Sequence, residues 1–258
     1  MIPATSYPMP TFIPVLFLAL ACFGAPSWAQ SQEDNWSSLG HLANVAAAPD
    51  RSLAAPAALL ASELAHNMDA FEIDEKEIPL GALKTFKTLW LDIAAENKRW
   101  VDIRVYALDV AVQLHRVITT QSGIQANTNW QPFLEDTDPQ MRAAALTLLP
   151  VAPELDSIVL ALLADARSEQ VSLAAGQRLC GPLGSKPVKR PSIPPEVVPR
   201  LQRVATNRHL PITARVDLAP CLFAEGSVPS RRALGVLLQE SPPALRRALR
   251  ELTQPSKR

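Results

Sequence analysis

A short apolar pattern returns along the chain and limits what it can fold into. Met141-Arg-Ala-Ala-Ala-Leu, Val171-Ser-Leu-Ala-Ala-Gly, Ile212-Thr-Ala-Arg-Val-Asp and Leu245-Arg-Arg-Ala-Leu-Arg stand in register, at intervals of 30, 41 and 33 residues. Val101-Asp-Ile-Arg-Val-Tyr extends the series backwards, and Leu53 opens a weaker member. Each pattern follows a turn and an earlier helical stretch, so the unit is two helices. A unit of that size cannot bury its own apolar stripe and must stack on its neighbours. The expectation is an all-α fold, an α-solenoid of about six stacked antiparallel helix pairs.

The clearest unit runs from Trp130 to Pro150. Asp138 is placed to cap the free N–H groups of the next turn. Pro139 then takes the first helical position, where its missing N–H costs nothing. Met141, Ala144, Ala145 and Leu148 fall on one stripe at i, i+3, i+4 and i+7. Arg142 follows Asp138 by four residues, a spacing that allows an ion pair across one turn. Val151-Ala152-Pro153 closes the helix, because proline disfavours helical geometry in the residue before it. Leu210-Pro211 and Ser241-Pro242 repeat the starting chemistry. Helices are expected over 36–48, 53–66, 79–97, 100–119, 154–164, 169–180, 196–205, 211–223, 230–239 and 242–252. Gly181 is expected to end the 169–180 helix in the left-handed conformation.

Residues 1–29 read as a signal peptide. The apolar run Phe12 to Phe23 is shorter than the ~20 residues of a membrane span. Ser27-Trp28-Ala29 puts small residues at −3 and −1 of a cut before Gln30. No Lys or Arg precedes the run. A lipoprotein anchored through Cys22 is the weaker alternative, since Ala19 stands where such signals carry Leu. No later stretch is apolar enough to span a bilayer, so the mature chain is expected in the periplasm or secreted, without a transmembrane segment. Residues 30–125 form divergent N-terminal hairpins. Residues 126–258 form the regular repeats, with a Pro-rich insert at 181–195.

The segment TDPQMRAAALTLL carries a resemblance to the HEAT-repeat family and its short bacterial relatives: Asp138-Pro139 in the turn, then Met141-Arg142 and Ala145-Leu146. The resemblance covers residues 130–252 well and 36–119 poorly. Ser172 and Thr213 stand where the family pattern prefers Arg. It implies stacked helix pairs and a scaffold that binds partners along a curved face.

Chemical motifs are scarce. At 48% hydrophobic and 19% charged residues, the composition excludes wholesale disorder. The acidic run 67–77 lacks the glycine at which a calcium loop turns. Gly181…Gly184-Ser185-Lys186 has the wrong order for a phosphate loop, and Pro187 follows it. None of His41, His66, His115 and His209 stands four residues from another. His66 and His115 lie near expected helix ends, where a cation suits the dipole. Trp36, Trp90, Trp100 and Trp130 share helical spacing with leucines and are expected in the core. No G-x-S-x-G elbow occurs. No catalytic, cofactor-binding or metal-ligating residue is assigned. The expected function is a non-enzymatic scaffold for protein–protein interaction in the cell envelope. The alternative is a small-ligand-binding or enzymatic repeat protein with a site between its two halves.

Two features mark candidate functional residues. Cys180 and Cys221 each follow their repeat's anchor by nine residues, so they occupy equivalent places on neighbouring helices. A disulfide needs Cα atoms within ~7 Å, whereas packed helices sit ~8–10 Å apart. A bond and two buried thiols both stand open. The second feature is charge. Residues 30–169 hold 10 Lys/Arg and 20 Asp/Glu, whereas residues 170–258 hold 15 and 5. Lys186, Lys189, Arg190, Arg231, Arg232, Arg246, Arg247 and Arg250 are the expected partner-binding residues. They suit a protein with an acidic surface, or an anionic membrane surface. Nucleic acid is not expected as a partner of an exported chain.

Overall fold

The computed structural model describes residues 33–66, 79–123, 128–150, 153–165, 167–181, 183 and 193–253, apart from the side chains of 33–37, 153 and 253. The signal segment, the acidic run 67–77, and Lys186, Lys189 and Arg190 lie outside these residues. All regular structure among the described residues is helical. The elements are α1 (Glu33–Ala46), α2 (Arg51–His66), α3 (Leu80–Ala95), α4 (Val101–Ser122), α5 (Gln131–Leu134), α6 (Pro139–Leu148), α7 (Asp156–Ala164) and α8 (Glu169–Cys180). They continue with α9 (Val198–Thr206), α10 (Ile212–Arg215), α11 (Ala219–Glu225), α12 (Val228–Glu240) and α13 (Pro243–Thr253).

Neighbouring helices pack in pairs, α1 on α2, α3 on α4, α5 on α6, α7 on α8 and α12 on α13. The second members also touch in sequence order: α2 on α4, α4 on α6, α6 on α8, α8 on α11 and α11 on α13. Among the first members α1 meets α3, α7 meets α9 and α9 meets α12. One continuous core of buried side chains runs from Leu39 to Leu249. Its largest fully buried members include Trp90, Leu108, Leu134, Met141, Leu163 and Leu201.

Local signals act largely as the residues suggest. The Asp138 carboxylate accepts from the Gln140 N–H at 2.7 Å, and Pro139 opens α6. Ser168 and Ser227 cap α8 and α12 in the same way. Met141 and Ala145 are buried, with Ala144 and Leu148 half-buried beside them. Other expectations are corrected. α4 runs on to Ser122, because Gly123, at φ 63° and ψ 4°, supplies the left-handed residue that ends it. Gly181 has a positive φ of 71°, but its ψ of 164° places it outside the left-handed helical region. The expected helix 211–223 is broken by a 3-10 turn at Val216–Leu218. Pro220 stands just past that turn and has no N–H with which to continue the ladder. Arg142 does not pair with Asp138. Its guanidinium donates instead to the carbonyls of Asp136 and Thr137, at 2.6 and 3.1 Å.

Arginines that close helix ends recur. Arg99 donates to the Ala46, Ala47 and Ala48 carbonyls at the end of α1. Arg178 does the same for Leu146, Leu149 and Pro150 after α6. Arg104 and Arg215 each stand three residues after a repeat anchor. Each donates to a carbonyl ten residues upstream, Ala94 and Ala205. Each then pairs with an acid in the next unit's turn, Arg104 with Asp136 and Arg215 with Glu240. Helix C-termini present carbonyls without intrahelical donors, and a guanidinium satisfies several at once.

Candidate functional site

The basic C-terminal end is the first candidate. Arg231, Arg232, Arg247 and Arg250 are exposed on α12 and α13. Arg231 donates to the Gly226 carbonyl at 2.9 Å, across the turn before α12. Arg246 is different. It is half-buried, and its guanidinium donates to the Ser241 carbonyl at 2.9 Å, closing the end of α12. Its position in the sequence matches Arg142, and so does its task. Two exposed apolar side chains lie on either side of the turn between α11 and α12: Phe223 in α11 is 46% exposed and Val228, which opens α12, 61%. Glu225 at that turn is held below the ordinary carboxylate value, because the hydroxyls of Ser227 and Ser230 donate to it.

A second candidate is a cleft open to solvent between the α5–α6 turn and α7, with a volume of about 580 Å³. Leu134, Ile158 and Leu162 supply apolar walls, while Thr137, Arg142 and Arg167 supply polar ones. Asp136 also borders it, but its charge is met by the buried Arg104. Arg167 is paired with Asp165.

Two polar clusters flank α4, and neither was expected. On the α2 side the buried Asp109 accepts from the Ser62 hydroxyl at 2.5 Å, with the His66 Nε2 at 2.9 Å and the Gln113 amide at 3.3 Å. Serine, histidine and aspartate meet here, but the carboxylate lies between the other two. A nucleophilic serine of the triad kind has the imidazole beside its hydroxyl, so this order is not that of a Ser-His-Asp triad, and it ties α2 to α4. On the other side Thr128 accepts from Lys87 Nζ at 3.0 Å and lies 3.3 Å from His115 Nδ1. The His115 ring meets Trp130 edge-on, with centroids 5.2 Å apart. Burial, then the charges of Lys87 and Arg116, push His115 below the ordinary histidine value of 6.5. Burial and Lys84 likewise lower Lys87. His115 is therefore an interior residue of α4, not a helix-end cation, since α4 continues past it. His66 does close α2, but it is engaged with Asp109.

Of the tryptophans, Trp90 and Trp130 are buried as expected. Trp100 is 40% exposed, with the Arg51 guanidinium 6.0 Å over its ring. The Trp36 side chain lies outside the described residues.

Cys180 and Cys221 form a disulfide joining α8 to α11, with Cα atoms 5.3 Å apart. Gly176 stands one turn before Cys180, against Leu218. A Cβ there would lie 2.6 Å from a methyl of Leu218. Gln177 and the Leu183 N–H both donate to Asp217, at 3.0 Å each, which ties the start of the Pro-rich insert to the same place. The glycine inside Val171-Ser-Leu-Ala-Ala-Gly was the sequence signal for the contact with Leu218.

Comparison with protein-family models, with curated proteins and with solved structures finds no match.

Proposed function

We propose that this chain is an exported, non-enzymatic α-helical repeat scaffold of the HEAT-like kind, which binds a partner protein in the cell envelope through its basic C-terminal end. The observation that carries the reading is the repeated contact plan. Second helices touch in sequence order among the described residues, and Arg104–Asp136 and Arg215–Glu240 make the same link between successive units. A solenoid built this way presents long surfaces to partners, and its ends stay open to tuning by charge. The disulfide fits an oxidising compartment outside the cytosol. The exposed arginines of α12 and α13, with the exposed Phe223 and Val228 about the α11–α12 turn, have the mixed aromatic and arginine character of interface centres. They suit a partner with an acidic surface.

The open cleft beside α7 favours one second reading, a small-ligand carrier whose site lies within the C-terminal repeat region and not between the two halves. Its volume falls in the range of ligand pockets, roughly 300–1,000 Å³. Affinity purification of the tagged chain from an envelope fraction separates the two. The scaffold reading expects a stoichiometric protein partner that is lost when Arg231, Arg232 and Arg247 become Gln. A co-purifying small molecule with no protein partner supports the carrier and rejects the scaffold.

A further inference from the structure

Among the described residues α4, α6, α8, α11 and α13 each have an earlier second helix against one flank, and α2 has none. The α2 flank that faces α4 is marked by Ser62, whose hydroxyl bonds Asp109. At about 100° per residue, Leu53, Leu60 and Leu64 lie roughly 180° around the helix from Ser62. This flank would receive an earlier repeat. Leu53 is 55% exposed there, and Leu60 and Leu64 are half-buried. An apolar row at the start of a stack is unusual, since terminal repeats carry a polar outer face.

The charges around the two ends are opposite. Asp50 and Glu63 are exposed acids bordering the α2 row. The hydroxyl and N–H of Ser52 hold Asp50 ionised by lowering it below the ordinary aspartate value. At the other end, α13 exposes Arg247 and Arg250, while Leu249 on its far side is buried. The same asymmetry holds for the sequence as a whole, 20 acids against 10 bases before residue 170 and 5 against 15 after it.

We infer that the exposed α2 flank of one molecule takes the basic α13 end of a second copy, so that the helix series continues head to tail across molecules. Such a contact is heterologous: one end of each molecule is used and the other stays open for the next copy. Apolar burial of the leucine row supplies the attraction, and the opposed charges select the orientation. The α13 end, with Arg247, is also part of the proposed partner surface, so the test is made on the purified chain with no partner protein present.

Sedimentation velocity of the purified chain over a concentration series tests it. At low salt the weight-average mass should climb with concentration past that of a dimer, and it should fall towards the monomer as salt is raised. Two variants then separate the ends. Leu53→Glu spoils the α2 flank, and Arg247→Glu with Arg250→Glu spoils the α13 end. Each variant alone should be monomeric, with a helical circular dichroism spectrum unchanged from the parent. Mixed one to one they should form a species of twice the monomer mass and no larger, because one good end of each kind remains. A parent chain that is monomeric throughout overturns the inference. So do folded variants that still associate alone, or a mixture that stays monomeric.

Discussion

Arg104 and Asp136 are charges the fold has taken almost wholly out of water, at 3% and 5% side-chain exposure. Arg104 also spends a donor on the Ala94 carbonyl and another on the Asn97 side chain, so all three guanidinium nitrogens are engaged. Removing one partner strands the other charge in the interior, which costs about 3–5 kcal/mol. Arg104→Ala should therefore lower the urea midpoint sharply. Arg104→Met combined with Asp136→Leu should lose less than either single change, because an apolar pair leaves no orphan charge. A double change as damaging as the sum of the singles would show that the carbonyl contact, not the ion pair, carries the stability. His115 gives a pH dependence. Its folded value lies below the unfolded 6.5, so the unfolded chain binds the extra proton. Its contribution to stability is full above about pH 6.5 and is lost as the pH falls through the lower, folded value. Urea titrations between pH 7 and pH 5 should show stability declining in the parent. The decline should be shallower in His115→Gln, which keeps a polar side chain beside Thr128 but cannot take up the proton.

At the scale of elements, the disulfide between α8 and α11 closes a loop with a sequence separation of 41. In the chain-entropy model, opening a loop of that length removes about 4 kcal/mol. Cys180→Ala with Cys221→Ala should lower the melting temperature, and reductant should have no further effect on that variant. Titration of the unreduced, unfolded parent should find no free thiol at either position; two free thiols would refute the bond. Most of these elements were legible in the sequence, because helix starts carry Asp-Pro or Ser and because apolar residues recur every three or four positions. The 169–180 helix is found with the bounds expected for it. What escaped is chemistry that depends on distant partners. An arginine on a helix reads as a surface residue unless its acceptors are known. The carbonyls it meets lie ten residues back, as for Arg104 and Arg215, or in the preceding unit, as for Arg178. Asp109 was hidden for the same reason, since Ser62 and His66 belong to a helix more than forty residues away. The exposed Trp100 was misread because aromatic spacing alone does not say which flank of a turn faces water.

Across the whole molecule the charge split is legible from composition, but its use is not. Of the 15 basic residues after position 170, those that the structure describes divide by task. Arg178, Arg200, Arg215 and Arg246 spend donors on backbone carbonyls and act inside the fold. Arg231, Arg232 and Arg247 keep their side chains exposed at the C-terminal end, Arg231 while also donating to the Gly226 carbonyl. A partner feels charge from both groups at long range but can touch only the second. Encounter is steered by the summed field, which is screened beyond about 10 Å at 0.1 M ionic strength. Close contacts persist when that field is screened. Replacing Arg231, Arg232 and Arg247 with Gln should therefore slow partner capture at low salt and also weaken the captured complex at moderate salt. Replacing Lys98, an exposed residue of the turn between α3 and α4, should slow capture at low salt only. Association and dissociation rates measured at two ionic strengths distinguish these outcomes. Equal effects of the two sets at both salts would mean that the C-terminal end contributes field alone and makes no contact with the partner.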